Sequence, residues 1–136
     1  MTTLAELVTV SRQKDTINLW LATECPPCVR MTRAGKWTEP RAVDYNNWQA
    51  TWKERIRFTM STSGVEPLPG GVPLFLSCTF QYKRKYHAFD LDNLIKASLD
   101  LIQGVVFLGA DSWVDRIVSD KIVASLTGVS LNIGRL

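Results

Sequence analysis

From Val72 to Ile133 the apolar pattern switches between two periods, and this constrains the fold more than any other feature of the chain. Val72 to Tyr82 is a nearly continuous apolar run of strand length. Leu94, Ala97, Leu101 and Ile102 then recur at helical spacing up to about Gln103, where Gly104 supplies a stop. Val114–Val123 and Val129–Ile133 return to strand character. Upstream, Ile17, Leu19 and Leu21 alternate with Asn18, Trp20 and Ala22, the period of a half-buried strand. Tyr45, Trp48, Trp52 and Ile56 mark an amphipathic helix from about Arg41 to Phe58, with its aromatics in the core. Strands and helices in this order predict one small α/β (α+β) domain over residues 1–136, a mixed sheet with two main helices. Residues 1–15 are read as an N-terminal extension, with a short helix over 4–11 as the other reading. Thr23–Arg41 is a long loop rich in Pro and basic residues, a kind of segment that is usually functional or disordered. Ser61–Gly71 is a turn-rich connector.

A chain of 136 residues that is 46% hydrophobic and 21% charged has the composition of a globular domain. No stretch approaches the roughly 18 uninterrupted apolar residues of a membrane span, and no basic segment precedes an apolar run at the N-terminus. A cytoplasmic protein without a membrane partner is expected. Three cysteines give no even disulfide framework. Cys25 and Cys28 form a C-x-x-C, but a zinc site would need Cys78 and the single histidine, His87, at a spacing that matches no common pattern. Ordinary reduced thiols are the expectation. Charge is unevenly distributed. Residues 1–89 carry twelve Lys/Arg against seven Asp/Glu, a net +5, whereas residues 90–136 carry four against six, a net −2. A basic half beside a carboxylate-rich half suits a metal-dependent enzyme acting on a polyanion.

The carboxylates are patterned. Asp90 and Asp92 stand two apart, at what reads as a strand end, and would project to one side. Lys96 and Asp100 follow Asp92 at i+4 and i+8 along one helix face. Asp111 comes after the apolar run Val105–Leu108 and Gly109-Ala110. Closely spaced carboxylates repel unless a cation lies between them, and hard oxygen donors favour Mg²⁺ or Mn²⁺. A lysine beside them would suit a phosphate. From spacing alone a plainer reading stands beside this one: Asp92 caps a helix, Lys96 and Asp100 form a surface pair, and Asp90 is solvated.

The run Asp90-Leu-Asp-Asn-Leu-Ile-Lys-Ala-Ser-Leu-Asp100, followed by Gly104-Val-Val-Phe-Leu-Gly-Ala-Asp111, resembles the signature of the RusA family of Holliday junction resolvases. Pro26-Pro27, the basic residues Arg30, Arg33 and Lys36, and then Arg41-Ala42 and Tyr45 resemble that family's basic loop and first helix. The likeness spans roughly residues 16–133. It implies metal binding by Asp90, Asp92 and Asp111, a cleavage role for Lys96, Mg²⁺ as cofactor with Mn²⁺ able to substitute, and a homodimer acting on four-way or other branched DNA. Phe89, Ala110 and Trp113 depart from the family pattern at positions that bear on sequence preference and metal affinity.

The implied function is structure-selective endodeoxyribonuclease activity that resolves junctions by paired phosphodiester hydrolysis. Arg30, Arg33, Lys36, Arg41, Lys83, Arg84 and Lys85 are the candidate phosphate contacts, and Trp20, Trp37 and Trp113 the aromatics that could stack on bases, with Trp20 read first as core. A non-catalytic branched-DNA-binding module with a structural metal is the alternative. It leaves Lys96 without a use. A small-molecule phosphatase is a third reading, which leaves the basic loop idle.

Overall fold

Alternation of apolar and polar residues builds a five-stranded sheet that buries one face. The computed structural model describes residues 3–29, 39–84 and 89–136. Its strands are β1 (Val8–Gln13), β2 (Thr16–Leu21), β3 (Leu74–Tyr82), β4 (Val114–Val123) and β5 (Gly128–Arg135), in the spatial order β1-β2-β5-β3-β4. Every pairing is antiparallel except β3 with β4, which run parallel, so the sheet is mixed as the sequence implies. Register sets like beside like. Ile17, Ile133 and Leu76 form one row across β2, β5 and β3; Leu19, Leu131 and Cys78 form the next, and Leu21, Val129 and Phe80 a third. All nine are buried. The opposite face carries residues such as Asn18, Asn132 and Ser77, which are only partly buried.

The helices cover the apolar face. Helix α2 (Pro40–Ser63) packs against β1, and helix α3 (Leu91–Ile102) packs against α2 and β4. Glu39 starts α2: its carboxylate accepts the Ala42 N–H at 2.8 Å, with Pro40 in the first turn, where a missing N–H costs nothing. Gly64 ends it in the left-handed conformation (φ 67°), which glycine adopts without strain. In α3, Leu94, Ala97, Leu101 and Ile102 are buried as their spacing predicts. The short helix α1 (Leu4–Leu7) leads straight into β1.

Several boundaries differ from the sequence reading, each for a local reason. Residues 4–11 are neither one helix nor an extension: only Leu4–Leu7 is helical, and Val8–Gln13 pairs along its length with β2. Helix α2 runs on past Phe58 to Ser63, taking the start of the expected connector, because nothing before Gly64 breaks it. Its buried stripe passes through Tyr45, Gln49, Trp52, Ile56 and Met60; Trp48 is only half-buried, and its indole N–H donates to the Thr23 hydroxyl at 3.1 Å. Val105–Leu108 is buried except at its end but forms only isolated bridges, not a strand. Asp111 accordingly opens a 3₁₀ turn (Asp111–Trp113) just ahead of β4.

That turn is held in place by the connector after α2. Leu68 donates its N–H to Val106 and accepts one from Leu108 through its carbonyl, at 2.8 and 2.9 Å. Gly70 approaches the same segment so closely that a Cβ there would lie 1.9 Å from the Leu108 carbonyl oxygen. No side chain fits without moving that backbone. Gly70→Ala is therefore expected to destabilise the fold by about 1–3 kcal/mol, the usual cost of overpacking a tight contact. The measurement is the urea unfolding midpoint; an unchanged midpoint would show that the approach is not constraining.

Candidate active site

The acidic segment begins at the start of α3, not at a strand end as its sequence suggests. Asp90 occupies the N-cap position with extended backbone (φ −73°, ψ 141°), but its carboxylate accepts no capping hydrogen bond, and Asp92 lies in the first turn. Both are exposed. Carboxylates here sit favourably at the positive end of the helix dipole. The start of α3 is itself anchored from two sides. The Lys121 ammonium on β4 donates to the Phe89 carbonyl at 2.9 Å, and the Cys28 N–H donates to the Asn93 carbonyl at 3.1 Å.

One turn further on, Lys96 leans away from Asp92. Its ammonium lies 3.4 Å from Asp100 Oδ1 and 3.5 Å from Asp111 Oδ2, so one cation joins two carboxylates of separate elements. The sequence between them explains how Asp111 arrives there. Gly104 turns the chain with φ 79°, its N–H donating to the Phe107 carbonyl at 2.8 Å, and the Gln103 side chain donates to the Gly109 carbonyl at 3.2 Å. The Lys96 side chain is 53% exposed, and those of Asp100 and Asp111 are 33% and 35% exposed, so the trio is open to a large ligand. Attraction to Asp100 is the largest effect and raises the Lys96 pKa; burial opposes it, and Asp111 adds a smaller upward push. It is a fixed cation at neutral pH, not a base.

Asp100 has a second set of partners on its other side. Its Oδ2 accepts the Tyr45 hydroxyl at 3.0 Å and lies 3.8 Å from the Cys28 thiol. Tyr45 in turn accepts from Gln49 Nε2 at 3.0 Å, and the same amide nitrogen donates to the Ala97 carbonyl, also at 3.0 Å. Lys53 donates to the Asp100 and Leu101 carbonyls, satisfying the last turn of α3. Burial first, and the Asp100 charge second, push the Tyr45 hydroxyl pKa up, which keeps it a donor. In the sequence Tyr45 reads as core and as part of the resemblance over the first helix, without a role of its own, and a lone glutamine among aromatics carries no signal.

The structure thus brings Lys96, Asp100 and Asp111 together and leaves Asp90 and Asp92 one to two turns away, with no ion pair to either among the described residues. Also among the described residues, no three His, Cys, Asp or Glu side chains close around a common point. The donor set nevertheless fits a Mg²⁺ ion of the open kind. It consists of carboxylate oxygens, and Mg²⁺ takes one or two such groups and completes its shell with phosphate and water. Cys25, Cys28 and Cys78 form no disulfide among the described residues, and burial raises the Cys25 and Cys78 thiols to about 12, which keeps those two protonated.

Of the basic candidates, Arg41 is exposed in the first turn of α2 and lines a cavity of about 560 Å³ with Pro26, Pro27 and Trp48. Lys83 and Arg84 are exposed just past β3. Arg30, Arg33, Lys36, Trp37, Lys85 and His87 lie outside the described residues. Trp113 is exposed two residues from Asp111. Trp20 is half-buried and packs over Gly128, where a Cβ would meet its ring at 2.2 Å, so it stands on the open sheet face instead of in the core.

A search of curated proteins returns no match. The family model described as endodeoxyribonuclease RusA matches residues 27–134, which include α2, α3, both ends of the Lys96 bridge and nearly all of the sheet beyond β2. The chain belongs to the RusA endodeoxyribonuclease family.

Proposed function

We propose that this protein is a Mg²⁺-dependent endodeoxyribonuclease that resolves Holliday junctions and other branched DNA, with Asp90, Asp92 and Asp111 as metal ligands and Lys96 as a catalytic cation. The observation that carries the reading is the approach of Lys96 to Asp111 at 3.5 Å, in a chain of this family. A divalent ion held by these carboxylates would supply Lewis-acid polarisation of the phosphate and activation of water. The residues do the rest. Lys96 follows Asp92 by one helix turn and its ammonium lies 3.5 Å from Asp111 Oδ2, so a phosphate bound to a metal between those carboxylates would lie beside the ammonium. Lys96 would donate to a non-bridging oxygen of that phosphate and offset charge as it develops. The α3 N-terminus adds a favourable partial charge for the same anion.

Recognition of DNA would fall to exposed cations. Arg41, Lys83 and Arg84 stand on the surface, and Arg30, Arg33, Lys36 and Lys85 complete the proposed set. Trp113 is available to stack on a base beside the reaction centre. A homodimer would present two such centres to one junction. The outer edge of β4 is the candidate seam: among the described residues it ends the sheet, and Val118 and Val123 on it are 61% and 60% exposed, with Ile117 and Ile122 also exposed. Unpaired strand edges lined with apolar residues invite pairing with a second chain. Val118→Lys combined with Ile122→Lys should convert a two-chain mass in light scattering to that of one chain; a mass unchanged by the substitutions removes β4 as the seam.

The decisive assay incubates the protein with labelled four-way junction, linear duplex and a phosphomonoester, each with Mg²⁺ or with EDTA. Symmetrical nicking of the junction in Mg²⁺ alone is expected. Asp111→Asn should lower that rate by at least about 100-fold while junction affinity holds. Binding without nicking by the unaltered protein would favour the structural-metal module, and full activity of Asp111→Asn would remove Asp111 from the chemistry.

A further inference from the structure

We infer that Asp100 and Tyr45 are positioning residues for the reaction: the Tyr45 hydroxyl fixes the Asp100 carboxylate, and that carboxylate aims the Lys96 ammonium at Asp111. The inference deepens the reading above and rests on Lys96 having the role given there. It starts from a problem of flexibility. A lysine has four rotatable bonds, and an exposed ion pair is too weak to hold it in one geometry. Lys96 is more than half exposed, and its i,i+4 partner on the same helix would be as mobile if it were a solvated surface carboxylate.

Asp100 is not of that kind. One oxygen faces Lys96 at 3.4 Å, while the other accepts the Tyr45 hydroxyl at 3.0 Å, with the Cys28 thiol at 3.8 Å. Tyr45 is buried on α2 and cannot swing away, and its oxygen is engaged by Gln49, also buried. Gln49 spends its amide nitrogen on Tyr45 and on the Ala97 carbonyl, one residue beyond Lys96, so the network ties the two helices together at the lysine. The two oxygens of Asp100 therefore divide the work: one is locked to the core and the other faces the reaction. Fixing a catalytic group within a fraction of an ångström matters because small misplacements cost large factors in rate.

The test uses Tyr45→Phe, which removes one hydroxyl from a buried ring, and Asp100→Asn, which keeps shape and loses charge. Three readouts are taken on the full chain: single-turnover junction cleavage, junction affinity, and the Lys96 ammonium signal in ¹H–¹⁵N spectra, assigned by its loss in Lys96→Arg. Tyr45→Phe should cut the cleavage rate roughly tenfold and Asp100→Asn further, with affinity changed by less than about twofold. In both, the Lys96 ammonium signal should shift or broaden. If both variants cleave at the unaltered rate, or if rates fall while the Lys96 signal stays as it was, the positioning role is overturned and the network is only structural. If the unaltered protein cleaves no branched DNA, the functional reading fails by itself, and the response of the Lys96 signal alone decides whether Tyr45 and Asp100 hold that side chain.

Discussion

Parallel pairing of β3 with β4 is the constraint on which the rest of this molecule depends. Two parallel neighbours cannot be joined by a tight turn; the chain must cross back over the sheet, and a helix is the compact way to do so. Here the crossing element is α3. Its apolar stripe of Leu94, Ala97, Leu101 and Ile102 is buried against the sheet, and each of the large members would cost about 2–5 kcal/mol if cut to alanine. With that face committed, the opposite face must be polar and must look outward. Asp92, Lys96 and Asp100 occupy it. The same crossover returns the chain through Gly104 and Gly109 to the head of β4, which is why a residue eleven positions beyond Asp100 meets Lys96.

The electrostatics follow from that placement. Carboxylates from α3 and from the turn before β4 are collected on one side of the sheet, and the only compensation inside the described trio is the single Lys96 ammonium between Asp100 and Asp111. Asp90 and Asp92 remain exposed at the helix start. A partly exposed group of carboxylates of this kind leaves room for a large ligand beside it. The basic N-terminal half of the charge count contributes exposed Arg41, Lys83 and Arg84, and Arg41 lines a cavity together with Phe89, the neighbour of Asp90.

Much of this was legible in the residues. The period-two run of β2, the continuous apolar run of β3 and the helical stripe of α3 are visible from hydrophobic spacing and length, and each element buries one face. β4 was legible for another reason: its β-branched residues mark a strand even though most of them remain exposed at the edge. β1 was harder to see. Its hairpin turns at Lys14-Asp15, with Lys14 in the left-handed region (φ 55°), and lacks the glycine or asparagine that normally announces such a turn. The start of α3 is hard to read for a related reason. Asp92-Asn93 looks like a cap because those residue types favour caps, whereas Asp90 takes the position without using its side chain. Least visible were Tyr45 and Gln49. Tyr45 donates to Asp100, and Gln49 reaches α3 through Tyr45 and the Ala97 carbonyl; these partners lie about fifty residues away in sequence, and no local pattern encodes a partner at that range.

The central claim is that Asp90, Asp92 and Asp111 act on one divalent ion although only Lys96 joins Asp111 to α3 in the structure described. Paramagnetic broadening of backbone amide signals by substoichiometric Mn²⁺ tests it most directly, because the effect falls steeply with distance and needs no DNA. Amides of Asp90–Asn93 and of Asp111–Trp113 should broaden together and recover together in Asp111→Asn, while those of β1 stay sharp. Broadening confined to one of the two segments, or found elsewhere in the chain, would contradict a shared site.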